Sequence, residues 1–249
     1  MATQHLVRAT RQAGVLTLTL ADPRRRNALS VAMVEALRAS LAADCGSGAD
    51  RSSTVVLRGD GGCFSSGHDL QEITAARDDE AALRKIFEAC GELMRAVREH
   101  PVPIIAAITG PAYAAGCELA ASADIVVADE ASAKFATPGV RLGLFCHTPA
   151  VALVRALGGG AGGARRAGHM LYTGLPVGAA AAASLGLVHE LAPAGGADAA
   201  AQRIAHAIAG WPVELQDIVL LLVVCARINR PFIFSAHLHC PHCCDTIAR

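Results

Sequence analysis

The chain has 249 residues, with 22 basic and 22 acidic side chains and a formal net charge of zero at neutral pH. Hydrophobic residues make up 53% of it, enough for a sizeable core in one domain of the larger α/β kind without disulfide or metal staples. The balanced charge argues against a nucleic-acid partner while leaving small anionic ligands open, and the longest apolar run near the end, Ile218 to Ala226, falls well short of the roughly 20 residues that span a bilayer.

The start, Met1 to Gly14, lacks the apolar core of a secretory signal. Arg8 and Arg11 without an acid faintly echo a mitochondrial transit peptide, but a strand follows at once: residues 15–20 alternate apolar and polar with period two. Asp22-Pro23 breaks that strand and Arg24-Arg25-Arg26 makes a basic turn. Ser30 can cap a helix carrying Val34, Leu37 and Leu41 at helical spacing. Cys45 to Ser53 reads as a Gly/Ser-rich linker, and Thr54 to Leu57 as a buried strand closed by Gly59 and Gly61-Gly62. Leu83, Ile86, Phe87, Cys90, Met94 and Val97 mark a long amphipathic helix that ends at Pro101 and Pro103. Ile104 to Ile108 is a continuous apolar strand, Ala112 to Ala121 a helix of small residues, and Ile125 to Val127 the next buried strand. Further on, Arg165 to Tyr172, Gly178 to Ser184 and Asp198 to Ile208 look helical, with a short strand at Leu187 to Leu191. Gly158 to Gly163 reads as a loose loop without the lysine of a phosphate-binding loop. Strands alternating with helices predict βα units and a largely parallel arrangement. Of the 9 cysteines, Cys45, Cys63, Cys90, Cys117 and Cys146 are scattered in the manner of reduced intracellular thiols. Cys225, Cys240, Cys243 and Cys244 crowd into the tail, where a compressed His/Cys spacing does not fit a standard zinc module, so no metal site is assigned.

Two segments carry chemistry. Phe64-Ser65-Ser66-Gly67-His68-Asp69-Leu70 follows a strand and a glycine turn, and its backbone N–H groups at the start of a helix can meet an anion or a polarised carbonyl; the plainer reading is an ordinary strand-to-helix turn with Asp69 near the helix start. In the second, Ile108 to Ala120, a buried strand ends at Gly110 and a helix begins near Ala114, with free N–H donors at its positive end. Glu118, one turn in among Ala, Cys and Leu, is either a desolvated acid with a raised pKa or a first-turn acid serving the helix dipole. Two such turns, each delivering one N–H, can form an oxyanion hole.

The pair resembles the signature of the crotonase superfamily, which includes enoyl-CoA hydratases and isomerases. Arg26-Asn27-Ala28-Leu29 resembles the family's N-terminal motif, and Phe135 to Gly143 its next active-site strand and turn. The resemblance covers roughly residues 6 to 216 and implies an α/β crotonase fold of repeated ββα units with C-terminal helices, assembling as a trimer or a dimer of trimers in mitochondria. Residues 1–216 are then an acyl-CoA-binding domain and 217–249 a divergent tail. It implies that a thioester carbonyl accepts bonds from the backbone N–H groups of His68 and Ala115, that Ser66, Gly67, Asp69 and Leu70 line the coenzyme A channel, and that Arg24 and Arg26 meet its phosphates. Coenzyme A enters as part of the substrate, with no separate cofactor. Glu118 matches the first of two hydratase glutamates; where the second should stand the chain has Gly139, which has no proton to give. Cys146, His147 and Thr148 lie where some relatives place alternative acid/base groups, although His147 reads equally as a helix-start residue facing solvent. The resemblance therefore implies an acyl-CoA enzyme of the hydratase/isomerase class in fatty acid metabolism. A non-catalytic acyl-CoA-binding protein, or a hydrolase or decarboxylase on the same scaffold, stand as alternatives.

Overall fold

The computed structural model describes residues 6–45 and 51–211. Residues 46–50 of the Gly/Ser-rich linker read over Cys45 to Ser53, and the tail from 212 onward with its cysteine cluster, lie outside the described residues.

A hairpin opens the fold. Strand β1 (Val7–Gln12) pairs antiparallel with β2 (Val15–Leu20), joined by Ala13 and Gly14, both with positive φ, as a two-residue turn requires. β1 escaped the sequence reading because only Val7 is even half-buried, so no alternation marks it. Arg8 and Arg11, whose pattern suggested a transit peptide, sit on this edge strand and pair with Asp60 at 3.1 Å and buried Asp44 at 2.5 Å. A short 3-10 turn (Pro23–Arg25) leads to α1 (Val31–Asp44), where Ser30 accepts from the Met33 N–H at 3.2 Å as the cap expected for it. Then follow β3 (Thr54–Gly59), α2 (Leu70–Ala75) and α3 (Glu80–Arg98). The α3 stripe buries Ile86, Cys90, Leu93, Met94 and Val97, while Phe87 stands at its edge, 37% exposed.

Next come β4 (Ile104–Ile108), β5 (Pro111–Tyr113), α4 (Ala115–Ser122), β6 (Ile125–Asp129) and β7 (Lys134–Ala136). The helix read from Ala112 thus gives its first residues to a strand, because Ala112 bridges Ser65 and pairs with Phe135. A 3-10 turn (Pro138–Leu142) precedes α5 (His147–Ala156), α6 (Gly160–Thr173), β8 (Val177–Gly178), α7 (Ala179–Leu185), β9 (Glu190–Ala192) and α8 (Ala197–Ala209). The Gly158 to Gly163 loop is corrected: α6 begins inside it, with Gly163 buried so closely that a Cβ there would lie 2.2 Å from the Val154 carbonyl. Gly163 is a helix–helix contact, which composition alone mistakes for slack. The strand read at Leu187 shrinks to β9, since Leu187 and Val188 pack into the core instead of pairing.

The main sheet has the order β1-β2-β3-β4-β6-β9 and is parallel beyond the first hairpin; β5, β7 and β8 form a second, small sheet. Period-two alternation divides the main sheet between two cores. Leu16, Leu18, Leu20, Val55, Leu57, Ile104, Ala106, Ile108, Val126 and Ala128 face the helices α1, α3 and α4. Val15, Val56, Ile105, Ala107 and Val127 face α8, whose Ala197, Ala201 and Ala205 recur every four residues and let the helix lie close on the sheet. Each fully buried leucine or phenylalanine, Leu18, Leu37, Phe64 and Phe135 among them, contributes about 1.5–3 kcal/mol by leaving water. The ββα repeat is visible in β1-β2-α1, β4-β5-α4 and β6-β7-α5. It brings the ends of β3 and β4, and so both chemistry-bearing segments, to one end of the sheet.

Candidate active site

Three loops meet at that end, and Asn27 ties two of them. Fully buried with φ 51°, its side-chain oxygen accepts from the Asp22 N–H at 2.9 Å, and its amide donates to the Asp60 carbonyl at 3.0 Å and the Cys63 carbonyl at 2.7 Å. The basic turn is thereby pinned to the Gly61-Gly62 turn. Arg25 is drawn inward to Asp69 at 3.0 Å and Asp22 at 3.9 Å, leaving Arg24 and Arg26 exposed with no ion pair among the described residues. Asp69 also caps α2, accepting from the Gln71 N–H at 2.8 Å. Its carboxylate is therefore occupied within the protein, whereas Ser66 is half-buried and Leu70 is exposed at the rim.

The two turns touch backbone to backbone. Phe64 and Ser65 donate to the Pro111 carbonyl at 3.0 and 3.2 Å, and Tyr113 donates to the Ser65 carbonyl at 2.9 Å. Glycine permits the approach: a Cβ on Gly67, whose φ is +91°, would lie 2.8 Å from the Tyr113 carbonyl and 3.1 Å from the Ala115 nitrogen. A Cβ on Gly116 would lie 2.5 Å from the Ser65 carbonyl. Leu29 donates to the Gly67 carbonyl at 2.8 Å in a parallel bridge with His68, which turns the His68 N–H away from Leu29. Ala115, first in α4, has no helical carbonyl one turn back to receive its own N–H. Ala114 before it is held at φ 49°, ψ −120°, a strained conformation for a residue with a Cβ, anchored by its bond to the Ala136 carbonyl at 2.9 Å.

Glu118 is 5% exposed, on the first turn of α4. Burial pushes its carboxyl up to about 7, opposed by a hydrogen bond from Thr148 and by the charge of Arg98. Thr148 Oγ1 donates to Glu118 Oε2 at 2.8 Å. Glu118 is thus a desolvated acid with a raised pKa, and it stands in the first turn of α4 as well. At neutral pH the group is poised between acid and base, as proton transfer near pH 7 requires.

The His68 ring lies inward, not in solvent. It meets the edge of Phe87 with centroids 5.0 Å apart, and its Nε2 is buried without a partner among the described residues. Burial, then the neighbouring His147, lowers its pKa to about 4, so the ring is neutral at physiological pH. His147 starts α5 and is exposed, in keeping with the helix-start reading.

Gly139 is filled by a neighbour. A Cβ there would lie 2.7 Å from Cys146 Sγ and 3.0 Å from the Leu144 carbonyl. The half-buried thiol occupies the root of any longer side chain at 139, and burial raises its pKa, with Glu118 adding to the rise and a Gly139 backbone contact opposing it. Sequence reasoning missed Asn27 as the loop tie and Thr148 as Glu118's partner. Asn27 had a signal, its place in a recognised motif; Thr148 had only its place in a segment where relatives put acid/base groups, and its bond to Glu118 forms only once α5 packs on α4.

The arrangement thus offers one carboxyl near neutrality and two exposed arginines. No cluster of metal-ligating residues occurs among the described residues, and no helix there is long and apolar enough to cross a membrane. Residues 10–216 match the enoyl-CoA hydratase/isomerase family. The chain is 43% identical over 204 residues to the mitochondrial enoyl-CoA hydratase domain-containing protein 3 of Rattus norvegicus, covering 82% of this chain and 65% of that protein. It is 42% identical over 198 residues to the human protein of that name, covering 79% of this chain and 62% of that one. The chain therefore spans a little under two thirds of the length of these relatives. The crystal structure of human enoyl coenzyme A hydratase domain-containing protein 3 superposes with a TM-score of 0.83 at 34% identity, covering 98% of this chain and 92% of that one. An enoyl-CoA hydratase of Mycobacterium smegmatis superposes with a TM-score of 0.82 at 35% identity, covering 98% and 90%. With motifs, architecture and matches in agreement, the chain has the crotonase fold and belongs to the enoyl-CoA hydratase/isomerase family.

Proposed function

We propose that the chain binds acyl-CoA thioesters and acts on them as a hydratase/isomerase-type enzyme of fatty acid metabolism. The thioester oxygen accepts from the His68 and Ala115 N–H groups, and Glu118 moves the proton. An enolate-like intermediate gains most from donors already aimed at it, because no reorganisation is needed as charge develops. Ser66, Gly67, Asp69 and Leu70 line the coenzyme A channel, with Arg24 and Arg26 at its phosphates. Coenzyme A is part of the substrate, and no other cofactor or metal is required. The names of the relatives support a mitochondrial location, and the family supports assembly as a trimer or a dimer of trimers. Domain limits are proposed at 1–216, with 217–249 apart.

The observation that carries this reading is the buried Glu118 carboxyl, near neutrality on the first turn of α4. The test is loss of conjugated thioester absorbance from a short enoyl-CoA. Turnover that Glu118→Gln lowers by the ~10²–10⁴-fold typical of a general acid–base group supports the assignment. Turnover unchanged in that variant refutes it. A second reading, an acyl-CoA-binding protein without turnover, is favoured by the thiol that closes the space beside Gly139. It is supported by calorimetric binding of acyl-CoA together with inactivity toward all enoyl-CoA chain lengths.

A further inference from the structure

Glu118 is reached by side chains from three elements, and only one of them makes a hydrogen bond to its carboxylate among the described residues. Arg98, at the end of α3, adds its positive charge. Cys90 of α3 and Cys117 of α4 are buried thiols pushed up to about 12, so they are neutral neighbours near pH 7. Cys146 is a half-buried thiol whose pKa is also raised. None of these fixes the direction of the carboxyl group. Thr148 does: it stands in the first turn of α5, half-buried, with its hydroxyl 2.8 Å from Oε2.

We propose that Thr148 is the positioning residue of this site: its hydroxyl holds Glu118 Oε2, orients the carboxyl plane and leaves Oε1 as the oxygen that works on the substrate. A carboxyl without this bond would sample rotamers about its terminal torsion, which is broad and nearly two-fold. With the bond, one oxygen is held and the other is presented, and the orientation is settled before substrate arrives. The bond acts on protonation as well. A hydroxyl donor stabilises the ionised carboxylate more than the neutral acid, so it opposes the rise that burial imposes. Thr148 thereby keeps Glu118 within reach of neutral pH, where a fully desolvated acid would be locked in its protonated form. The geometry also explains how a site with glycine at 139 retains a directed carboxyl: orientation comes from α5, packed on α4. In what it says of turnover the inference rests on the proposed function, but its decisive readout does not.

The experiment is a carboxyl-carbon NMR titration of the full chain labelled in glutamate, with the Glu118 signal assigned by its loss in Glu118→Gln. The parent should titrate near 7. In Thr148→Val the midpoint should rise by on the order of one pH unit, the size expected for loss of a hydrogen bond to a charged group. In Thr148→Ser, which keeps the hydroxyl, it should return to the parent value. A merely structural threonine would move thermal stability without moving this midpoint, so a Thr148→Val midpoint equal to the parent's overturns the proposal. A Thr148→Ser midpoint that follows Thr148→Val overturns it too, because the methyl group and not the hydroxyl would then matter. Should Thr148→Val not fold, Thr148→Ala supplies the same comparison. If the midpoints shift as expected while Glu118→Gln leaves turnover intact, the positioning of Glu118 stands and its proposed catalytic role falls.

Discussion

Replacing Glu118 by glutamine should stabilise the protein at alkaline pH and do much less at acid pH. The reason lies in proton linkage. In the folded chain the carboxyl binds its proton up to about pH 7, against 4.5 for an ordinary glutamate, because burial disfavours the charged form. Between those two values the native state holds a proton that the unfolded chain releases, so stability falls as pH rises through the window. At about 1.4 kcal/mol per pH unit the full cost above pH 7 is about 3 kcal/mol. Glutamine matches the shape of the protonated acid, can still accept from Thr148 and carries no charge to desolvate. The difference in unfolding free energy between Glu118→Gln and the parent should therefore grow by about 2–3 kcal/mol from pH 5 to pH 8. Urea denaturation of both proteins at the two values measures it, and every other titrating group cancels to first order. For a domain of this size the gap corresponds to about 4–12 °C in Tm at pH 8. A variant stabilised equally at both pH values would refute the reasoning, for it would mean that Glu118 is as easily ionised in the fold as in the open chain.

His68 has the opposite sign. Its folded pKa is about 4 against 6.5 in the open chain, so stability is intact above pH 6.5 and is lost as pH falls toward 4; His68→Gln should flatten that limb in a pH series of denaturation curves. The same variant keeps its backbone N–H, so it should lose less enoyl-CoA turnover than the ~10²–10³-fold typical of a missing oxyanion donor. Gly67→Ala and Gly116→Ala should each cost about 1–3 kcal/mol or more in urea denaturation, because the new methyl would lie 2.8 and 2.5 Å from the Tyr113 and Ser65 carbonyls. Gly139→Glu should likewise destabilise, since its Cβ would lie 2.7 Å from Cys146 Sγ. Adding Cys146→Ala should recover part of the loss, and a double-mutant cycle with no coupling between the two sites would contradict the packing described here.

The elements that read well from sequence are those whose pattern is local. Leu16, Leu18 and Leu20 alternate because one face of β2 is buried against the helices, and Ser30 caps α1 because its hydroxyl reaches an N–H three residues on. Elements defined by their partners read poorly. β1 is a strand because β2 holds it, and Gly160 begins a helix because Gly163 can lie against Val154. The same division runs through the site. Residue types and their order along the chain singled out Gly67, His68, Ala115 and Glu118 as candidates and pointed to a family, since a backbone donor needs only a turn of the right kind beside it. The sequence likewise showed glycine at 139. Tertiary structure decided the rest: that Arg25 is occupied by Asp69, that Cys146 fills the space beside Gly139, and that Thr148, 30 residues away in the chain, holds the Glu118 carboxyl. These are contacts between segments brought together by the ββα repeat, and a contact between distant segments leaves no periodicity in either of them.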